Sequence, residues 1–148
     1  MNLKHRLAAG EPTVGTWVTL GHPSIAEVLA RAGFDWLVID LEHSVIGLRE
    51  AQDLLRAADL HGVPGIVRLP ANDPVVIKRV MDAGAAGVMV PMVNRAADAA
   101  AAVAAVRYPP SGTRGVGLAR AQGYGAEGAF AAYRDGLDDT AVVVVMIE

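Results

Sequence analysis

The chain has 148 residues, 53% of them hydrophobic and 20% charged, and a formal net charge of −3 at pH 7. This length fits one domain over residues 1–148 with a sizeable core, and the interspersed charges give no basic surface for nucleic acid. Because the chain has no cysteine, disulfides, thiolate metal sites and cysteine nucleophiles are excluded. The N-terminus lacks an apolar signal core, and no apolar run approaches the ~20 residues of a membrane span. We therefore expect a soluble cytoplasmic protein with no membrane partner.

Apolar runs rich in β-branched residues alternate along the chain with segments of helical period. Ser24, with Glu27 three residues later, predicts the start of one helix, and Asp73 followed by Pro74 predicts the start of another. In chain order the predicted elements are a helix at 3–9, a strand at 14–19, a helix at 24–32, a strand at 36–39, a helix at 48–60, a strand at 63–69, a helix at 73–83, a strand at 87–90, a helix at 95–106, a glycine-rich stretch at 108–125, a short helix at 126–133 and a strand at 141–147.

The predicted strands are continuous apolar runs without in-and-out alternation, which is typical of strands covered on both faces. Such strands, separated by helices, indicate an α/β fold with a parallel sheet and crossover helices. Two architectures fit this pattern. One is a complete five-stranded doubly wound α/β domain. The other is a (β/α)8 TIM barrel, which typically needs ~250 residues, so that the chain would cover about its first five βα units.

Polar residues end the apolar strands at one edge of the predicted sheet, where both architectures bind ligands. The second strand ends in Asp40-Leu41-Glu42-His43, the third in Arg68 and the fifth in Glu148. His43 is the natural general base, because its ordinary pKa is the closest to neutral pH, and Asp40 could orient it. The alternative is a solvent-exposed loop histidine without a catalytic role.

Arg68 and Glu148 offer charges of opposite sign at the same edge. The planar guanidinium of Arg68 suits a carboxylate or an enolate, although it could instead form a structural salt bridge to Asp40 or Glu42. Glu148 provides the carboxylate oxygens that hard divalent cations prefer, although a terminal glutamate is usually only solvated. These strand ends therefore predict a charged ligand site and leave the role of each residue open.

Other candidates carry weaker signals. The stretch at residues 112–117 is rich in glycine, but it lacks the spacing of a phosphate-binding loop and does not directly follow a strand. His61 is expected at the C-terminus of a helix, where a cation complements the dipole, so we interpret it as structural. His22 lies in the first strand-to-helix loop and could contact a substrate.

Several stretches occur together in an order that resembles one known family. Asp40, Glu42 and His43 form a D-x-E-H turn, and residues 107–117 contain an R-Y-P-P-x-G-x-R-G stretch. The other matching stretches are residues 33–43, 67–68, 72–74, 90–93 and 147–148. Over nearly its whole length the chain resembles the HpcH/HpaI family of pyruvate-dependent class II aldolases.

The resemblance implies a (β/α)8 barrel that reversibly cleaves a 4-hydroxy-2-oxo acid into pyruvate and an aldehyde, as in the breakdown of aromatic or sugar acids. It also implies a divalent metal, Mg²⁺, Mn²⁺ or Co²⁺, that holds pyruvate. By the same resemblance, Glu148 is one metal ligand, and a second ligand is expected beyond the chain end. The position of His43 belongs to the proton-transfer machinery, and that of Arg68 stabilises the pyruvate enolate.

Three further positions take their expected roles from the resemblance. Asp82 matches an acidic position associated with the basicity of the histidine, but the predicted helix places it at the opposite edge from His43. Either a neighbouring subunit supplies Asp82 or its role is indirect, so Asp40 remains its rival. Met146 stands in the pyruvate-binding region, where the commoner residue is glutamine. Arg120 matches a loop near the mouth of the site and could contact an acidic aldehyde.

The resemblance also implies a homo-oligomer, a trimer or a hexamer, for the intact protein. For the 148-residue chain by itself we expect no aldolase activity, because one metal ligand is missing. A competing hypothesis is a non-catalytic α/β module, or a truncated remnant, that has no metal site. That hypothesis predicts a folded chain that is indifferent to Mn²⁺ and Mg²⁺.

Overall fold

A computed structural model describes residues 2–148 of the chain. Helices and strands alternate along this part, and none of its helices is both long enough and apolar enough to cross a membrane. The elements are α1 (Leu3–Ala8), β1 (Gly15–Val18), α2 (Pro23–Arg31), β2 (Trp36–Asp40), α3 (Leu48–Leu60), β3 (Gly65–Arg68), α4 (Pro74–Asp82), β4 (Gly87–Val90), α5 (Ala96–Val106), a 3-10 turn (Gly123–Gly125), α6 (Ala129–Thr140) and β5 (Val142–Val145).

The predicted elements are confirmed in kind, with bounds that mostly differ by one or two residues, and the starts of α2 and α6 have identifiable causes. The N-cap of α2 is His22, whose Nδ1 accepts a hydrogen bond from the Ser24 N–H at 3.2 Å. Pro23 fits the first turn because it has no N–H and its φ is preset, so the cap precedes it and does not lie at Ser24. α6 starts at Ala129, after Gly128 in the left-handed conformation (φ 74°), and is longer than predicted.

All five strands pair in parallel in one sheet, in the order β1-β2-β3-β4-β5. A doubly wound sheet needs a point where the strand order reverses, so that helices cover both faces. Here each strand lies beside its neighbours in the chain, and the doubly wound alternative is therefore wrong. Sequential order is what successive right-handed βα units produce, and it places α2 to α6 on one face of the sheet.

The main core lies between the sheet and these helices. Leu37, Ile39 and Val67 are fully buried in it, and burying such a side chain contributes ~1.5–3 kcal/mol. The other face of the sheet carries a smaller cluster, formed by Leu3 of α1, Val38, Ile66, Met89 and Val142. Because both faces are apolar, the strands show the continuous apolar runs seen in the sequence.

The two edges of the sheet are called here the carboxyl edge, where the strands end, and the amino edge, where they begin. Successive side chains of a strand point to opposite faces. Asp40 lies two residues after Val38, and Arg68 two residues after Ile66, so both lie at the carboxyl edge on the face of the smaller cluster. The register pairs the Cα atoms of Asp40 and Arg68 directly. The sheet thereby brings an acidic and a basic side chain together.

Candidate active site

Asp40 is the last residue of β2, and it organises the turn that follows. Its Oδ1 accepts hydrogen bonds from the backbone N–H groups of Glu42 at 2.9 Å and His43 at 3.1 Å. Its carbonyl oxygen accepts a hydrogen bond from the Ser44 hydroxyl at 2.5 Å. Aspartate favours such a turn because its short carboxylate reaches the N–H groups that come next in the chain. Asp40 is only 1% exposed, so packing and hydrogen bonds hold it in one position.

Arg68 binds the same carboxylate from the neighbouring strand. Its Nε donates to Asp40 Oδ1 at 2.9 Å and its Nη2 to Asp40 Oδ2 at 2.5 Å, which makes a bidentate pair. The third nitrogen, Nη1, lies 3.5 Å from Glu42 Oε2. The structural salt bridge that the sequence left open is therefore present. It engages two of the five guanidinium N–H donors, and the Nη1 edge, which faces Glu42, keeps N–H donors for a further hydrogen bond.

The charges around this pair keep both groups ionised. The hydrogen bond with Asp40 raises the pKa of Arg68 despite partial burial, and the carboxylates of Glu42 and Glu148 add to the rise. Burial disfavours the Asp40 carboxylate, but the hydrogen bonds from Arg68 and from the backbone of His43 and Glu42 outweigh it and lower the pKa of Asp40. Glu148 therefore lies close enough to Arg68 to interact with its charge.

The His43 side chain is 70% exposed, and its Nε2 lies 3.8 Å from Glu42 Oε2. Asp40 contacts the backbone of His43 and not the imidazole, because both Asp40 oxygens already accept hydrogen bonds from N–H groups and from Arg68. This corrects the expectation that Asp40 orients the ring directly. What Asp40 does orient is the turn that presents His43 at the carboxyl edge, with its imidazole open to a bound molecule.

The segment after β5 follows the end of β4. The Met146 N–H donates to the Val90 carbonyl at 2.9 Å, and the Met146 carbonyl accepts from the Val93 N–H at 2.9 Å. The Met146 side chain packs against the smaller cluster, on the same face of the sheet as Arg68. Glu148, two residues later, is exposed. Met146 and Glu148 therefore lie at the carboxyl edge.

Residues 2–148 contain no group of three or more His, Asp or Glu side chains arranged to hold a metal ion. Asp40 is committed to Arg68 and to two backbone N–H groups. Glu148 has free oxygens, but one carboxylate is a small part of the roughly six oxygen ligands that Mg²⁺ or Ca²⁺ takes. The described residues do not form a complete metal site by themselves.

Comparison with known proteins identifies the family. The family model described as HpcH/HpaI aldolase/citrate lyase matches residues 13–148. The chain belongs to this family.

Its relatives include named aldolases. The hydroxypyruvate/pyruvate aldolase of Sagittula stellata is 44% identical over 146 residues, which cover 98% of this chain and 56% of that protein. The 4-hydroxy-2-oxovalerate aldolase of Rhodococcus jostii is 44% identical over 151 residues, which cover 99% of this chain and 56% of that protein. The crystal structure of an HpcH/HpaI aldolase from Desulfitobacterium hafniense DCB-2 matches with a TM-score of 0.89 and 34% identity, over 100% of this chain and 57% of that one. The chain spans a little over half the length of these relatives.

In this HpcH/HpaI chain, Asp82 lies far from the turn that carries His43. It is the last residue of α4, and a crossover helix runs antiparallel to the strands, so the end of α4 lies towards the amino edge. Asp82 Oδ1 accepts hydrogen bonds from Arg114 Nη2 at 2.6 Å and from Gln122 Nε2 at 2.8 Å. The fold of one chain therefore does not bring Asp82 to His43.

Arg120 also lies towards the amino edge. Its Nη1 donates to the Ala83 carbonyl at 3.2 Å, and its Nη2 pairs with Asp59. Both partners stand at the C-terminal ends of helices, where free carbonyls and the helix dipole favour a cation. This corrects the expectation that Arg120 lies near the mouth of the site and contacts an aldehyde.

The main feature that the sequence did not reveal is a buried arginine, Arg114. Its side chain is 0% exposed, and its Cζ lies 4.8 Å from the Tyr108 ring centroid and 5.4 Å from that of Tyr133. Its Nη1 donates to the Tyr133 hydroxyl at 3.0 Å. Gln122, also buried, donates to the Tyr108 hydroxyl at 2.8 Å. The glycine-rich stretch is therefore a structural loop that packs onto the end of α4. The aromatic and polar residues within it were the only sequence signal that this loop is packed.

Two other histidines considered from the sequence lie at helix ends. His61 is the C-cap of α3, with its Nε2 3.9 Å from Glu27 Oε1. His22 uses the lone pair of Nδ1 to cap α2. His43 is therefore the candidate base at the carboxyl edge.

Proposed function

We propose that this chain carries part of the active site of a pyruvate aldolase, which reversibly cleaves a 4-hydroxy-2-oxo acid into pyruvate and an aldehyde. The observation that supports this most is the Arg68 guanidinium, held at the carboxyl edge by the two hydrogen bonds that it donates to Asp40. The exposed His43 ring and the Glu148 carboxylate lie at the same edge. The names of the Sagittula and Rhodococcus relatives are consistent with this chemistry.

The proposed reaction needs a group that stabilises negative charge on oxygen. Cleavage of the C3–C4 bond leaves its electron pair on C3 of the pyruvate fragment, and the pair delocalises onto the keto oxygen to form an enolate. Arg68 would donate hydrogen bonds to this oxygen from its Nη1 edge, which Asp40 does not occupy. Because Asp40 already fixes the guanidinium, little reorganisation is needed as the charge develops.

His43 would move the proton in this proposal. The C4 hydroxyl gives its proton to the imidazole as the C3–C4 bond breaks, and C4 becomes the aldehyde carbon. The imidazolium then gives this proton to C3 of the enolate, which completes pyruvate and returns His43 to its neutral form. The 70% exposure of the His43 side chain leaves it accessible to such a substrate.

We further propose that Glu148 supplies one ligand to a divalent cation, Mg²⁺, Mn²⁺ or Co²⁺, whose other ligands lie outside the described residues. Met146 would line the pyruvate pocket through apolar contact. The sequential sheet would form the first five βα units of a (β/α)8 barrel, with residues 1–148 in one domain. The intact protein would be a cytoplasmic homo-oligomer, in which Asp82 could approach His43 only from a second copy.

The test joins this chain to the segment that follows the matched stretch in the Sagittula stellata aldolase and measures pyruvate released from 4-hydroxy-2-oxovalerate. We expect release that EDTA abolishes and that Arg68→Ala lowers by about 100-fold, the usual cost of losing a charge-stabilising donor. Arg56→Ala, at an exposed ion pair on α3, is the matched control and should leave the rate unchanged. Release that survives both EDTA and His43→Ala would overturn the proposal.

A non-catalytic α/β module is the second candidate. It is favoured by the existing Asp40–Arg68 pair. In that case Arg68 only holds two strand ends together. The joined protein would then fold, as judged by circular dichroism, but it would release no pyruvate with any of the three metals.

A further inference from the structure

Trp17 lies in β1, two strands away from Arg68, and yet its ring contacts the Arg68 guanidinium. The register pairs Trp17 with Val38 of β2, and Val38 with Ile66 of β3. Trp17 is therefore level with Ile66, two residues before Arg68. Because neighbouring strands are ~4.8 Å apart, the two side chains meet only by reaching across β2. The Arg68 Cζ lies 4.3 Å from the Trp17 ring centroid.

The ring restricts a motion that the Asp40 pair alone permits. Two parallel hydrogen bonds fix the guanidinium edge that carries Nε and Nη2. The guanidinium plane can still rotate about the line through these two nitrogens. The Arg68 Cζ lies over the Trp17 ring, and the negative face of the indole attracts the guanidinium. Asp40 therefore sets the position of the guanidinium, and Trp17, with Glu42 3.5 Å from Nη1, sets the tilt of the Nη1 edge.

Trp17 and Trp36 lie on the same face of the sheet and make different contacts. Trp17 contacts the Arg68 guanidinium and belongs to neither apolar cluster. Trp36 has a structural role, because it packs against the smaller cluster near the amino edge and its Nε1 donates to Thr13 Oγ1 at 3.2 Å.

We propose that Trp17 is a positioning residue for Arg68, holding the guanidinium at the tilt at which its Nη1 edge meets a bound planar oxyanion. The inference rests on the proposed function, because it assigns that edge to the enolate or carboxylate oxygens of pyruvate. Trp17 acts through Arg68 and transfers no proton.

The test uses the protein that joins this chain to the Sagittula segment, and it measures the affinity of that protein for oxalate, a planar dianion that mimics the pyruvate enolate, by titration calorimetry with excess Mg²⁺. We expect Trp17→Leu to weaken oxalate binding about fivefold, the scale of a partly exposed cation–π contact. Trp17→Phe keeps a ring and should bind within about twofold of the wild type. Trp36→Phe is the matched control, and it should lower the melting temperature without changing oxalate affinity. If Trp17→Leu does not fold, Trp17→Met takes its place as the variant without a ring.

The outcomes separate this inference from the function on which it rests. Unchanged oxalate affinity in a folded Trp17→Leu chain, whatever its melting temperature, would overturn the positioning role. Equal weakening in Trp17→Phe and Trp17→Leu would also overturn it, because the ring face would then not be the cause. If the joined wild-type protein binds no oxalate, the proposed oxyanion site fails, and the inference fails with it.

Discussion

Replacing Asp40 with asparagine tests the pair on which the site is built. The new side chain keeps its shape and can still accept from the Glu42 and His43 N–H groups, but an uncharged amide then faces Arg68. Removing one partner of a buried ion pair costs about 3–5 kcal/mol, because the remaining charge is left uncompensated. Glu42, 3.5 Å from Arg68 Nη1, offsets part of this loss. We therefore expect the free energy of unfolding to fall by about 2–4 kcal/mol.

Urea unfolding followed by circular dichroism measures this loss as a lower midpoint at unchanged slope. The matched control is Asp53→Asn, which removes the partner of Arg56 from an ion pair of 2.6 Å whose side chains are 40% and 47% exposed. An exposed pair of this kind is worth about 0–1 kcal/mol, so the control should shift the midpoint little. If Asp40→Asn costs no more than Asp53→Asn, the Asp40–Arg68 pair is not the buried clamp described above.

Three further changes probe the same structure. The pKa of Asp40 is lowered in the folded chain, so ionised Asp40 stabilises the fold fully above its ordinary pKa of about 3.9, and this contribution is lost as the pH falls through the lower folded pKa. Urea midpoints measured from neutral to strongly acid pH should therefore fall more steeply for the wild type than for Asp40→Asn. Arg114→Met removes a fully buried guanidinium from its carboxylate partner and should cost about 3 kcal/mol in urea unfolding; a cost below about 1 kcal/mol would mean that the network is not stabilising. Gly87→Ala places a methyl group against the Val142 carbonyl of β5 and should lower the free energy of unfolding by about 2 kcal/mol or more, whereas Gly136→Ala, in open space on α6, should raise it by ~0.5–1 kcal/mol. Equal effects of the two variants on the melting temperature would contradict the close approach of β4 and β5.

Local signals predicted the elements well because each depends on nearby residues. The helix at Leu48–Leu60 and the strand at Gly87–Val90 have the predicted bounds, since an apolar stripe defines the first and a β-branched run the second. The order of the strands was not predictable in the same way. A doubly wound sheet and successive barrel units share the same local pattern, and only the pairing of strands distant in the chain distinguishes them.

The candidate site was predictable where it depends on strand ends, and not where it depends on contacts between distant segments. Asp40 and Arg68 follow from the rule that parallel strands end at one edge, and the register then pairs them. Trp17 reaches Arg68 across an intervening strand, which a linear pattern does not show. Arg120 was placed at the wrong edge because the fold of its glycine-rich loop, and not a local period, decides where it lies.

Exchange of the pyruvate methyl protons for deuterium tests the assignment of Arg68 most directly, because loss of a C3 proton forms the same enolate as C–C cleavage. The protein that joins this chain to the Sagittula segment would be incubated with pyruvate and Mg²⁺ in D₂O and followed by NMR. We expect deuteration of the methyl group, slowed about 100-fold by Arg68→Ala. Exchange at the wild-type rate in Arg68→Ala would contradict the central claim that this guanidinium stabilises the enolate.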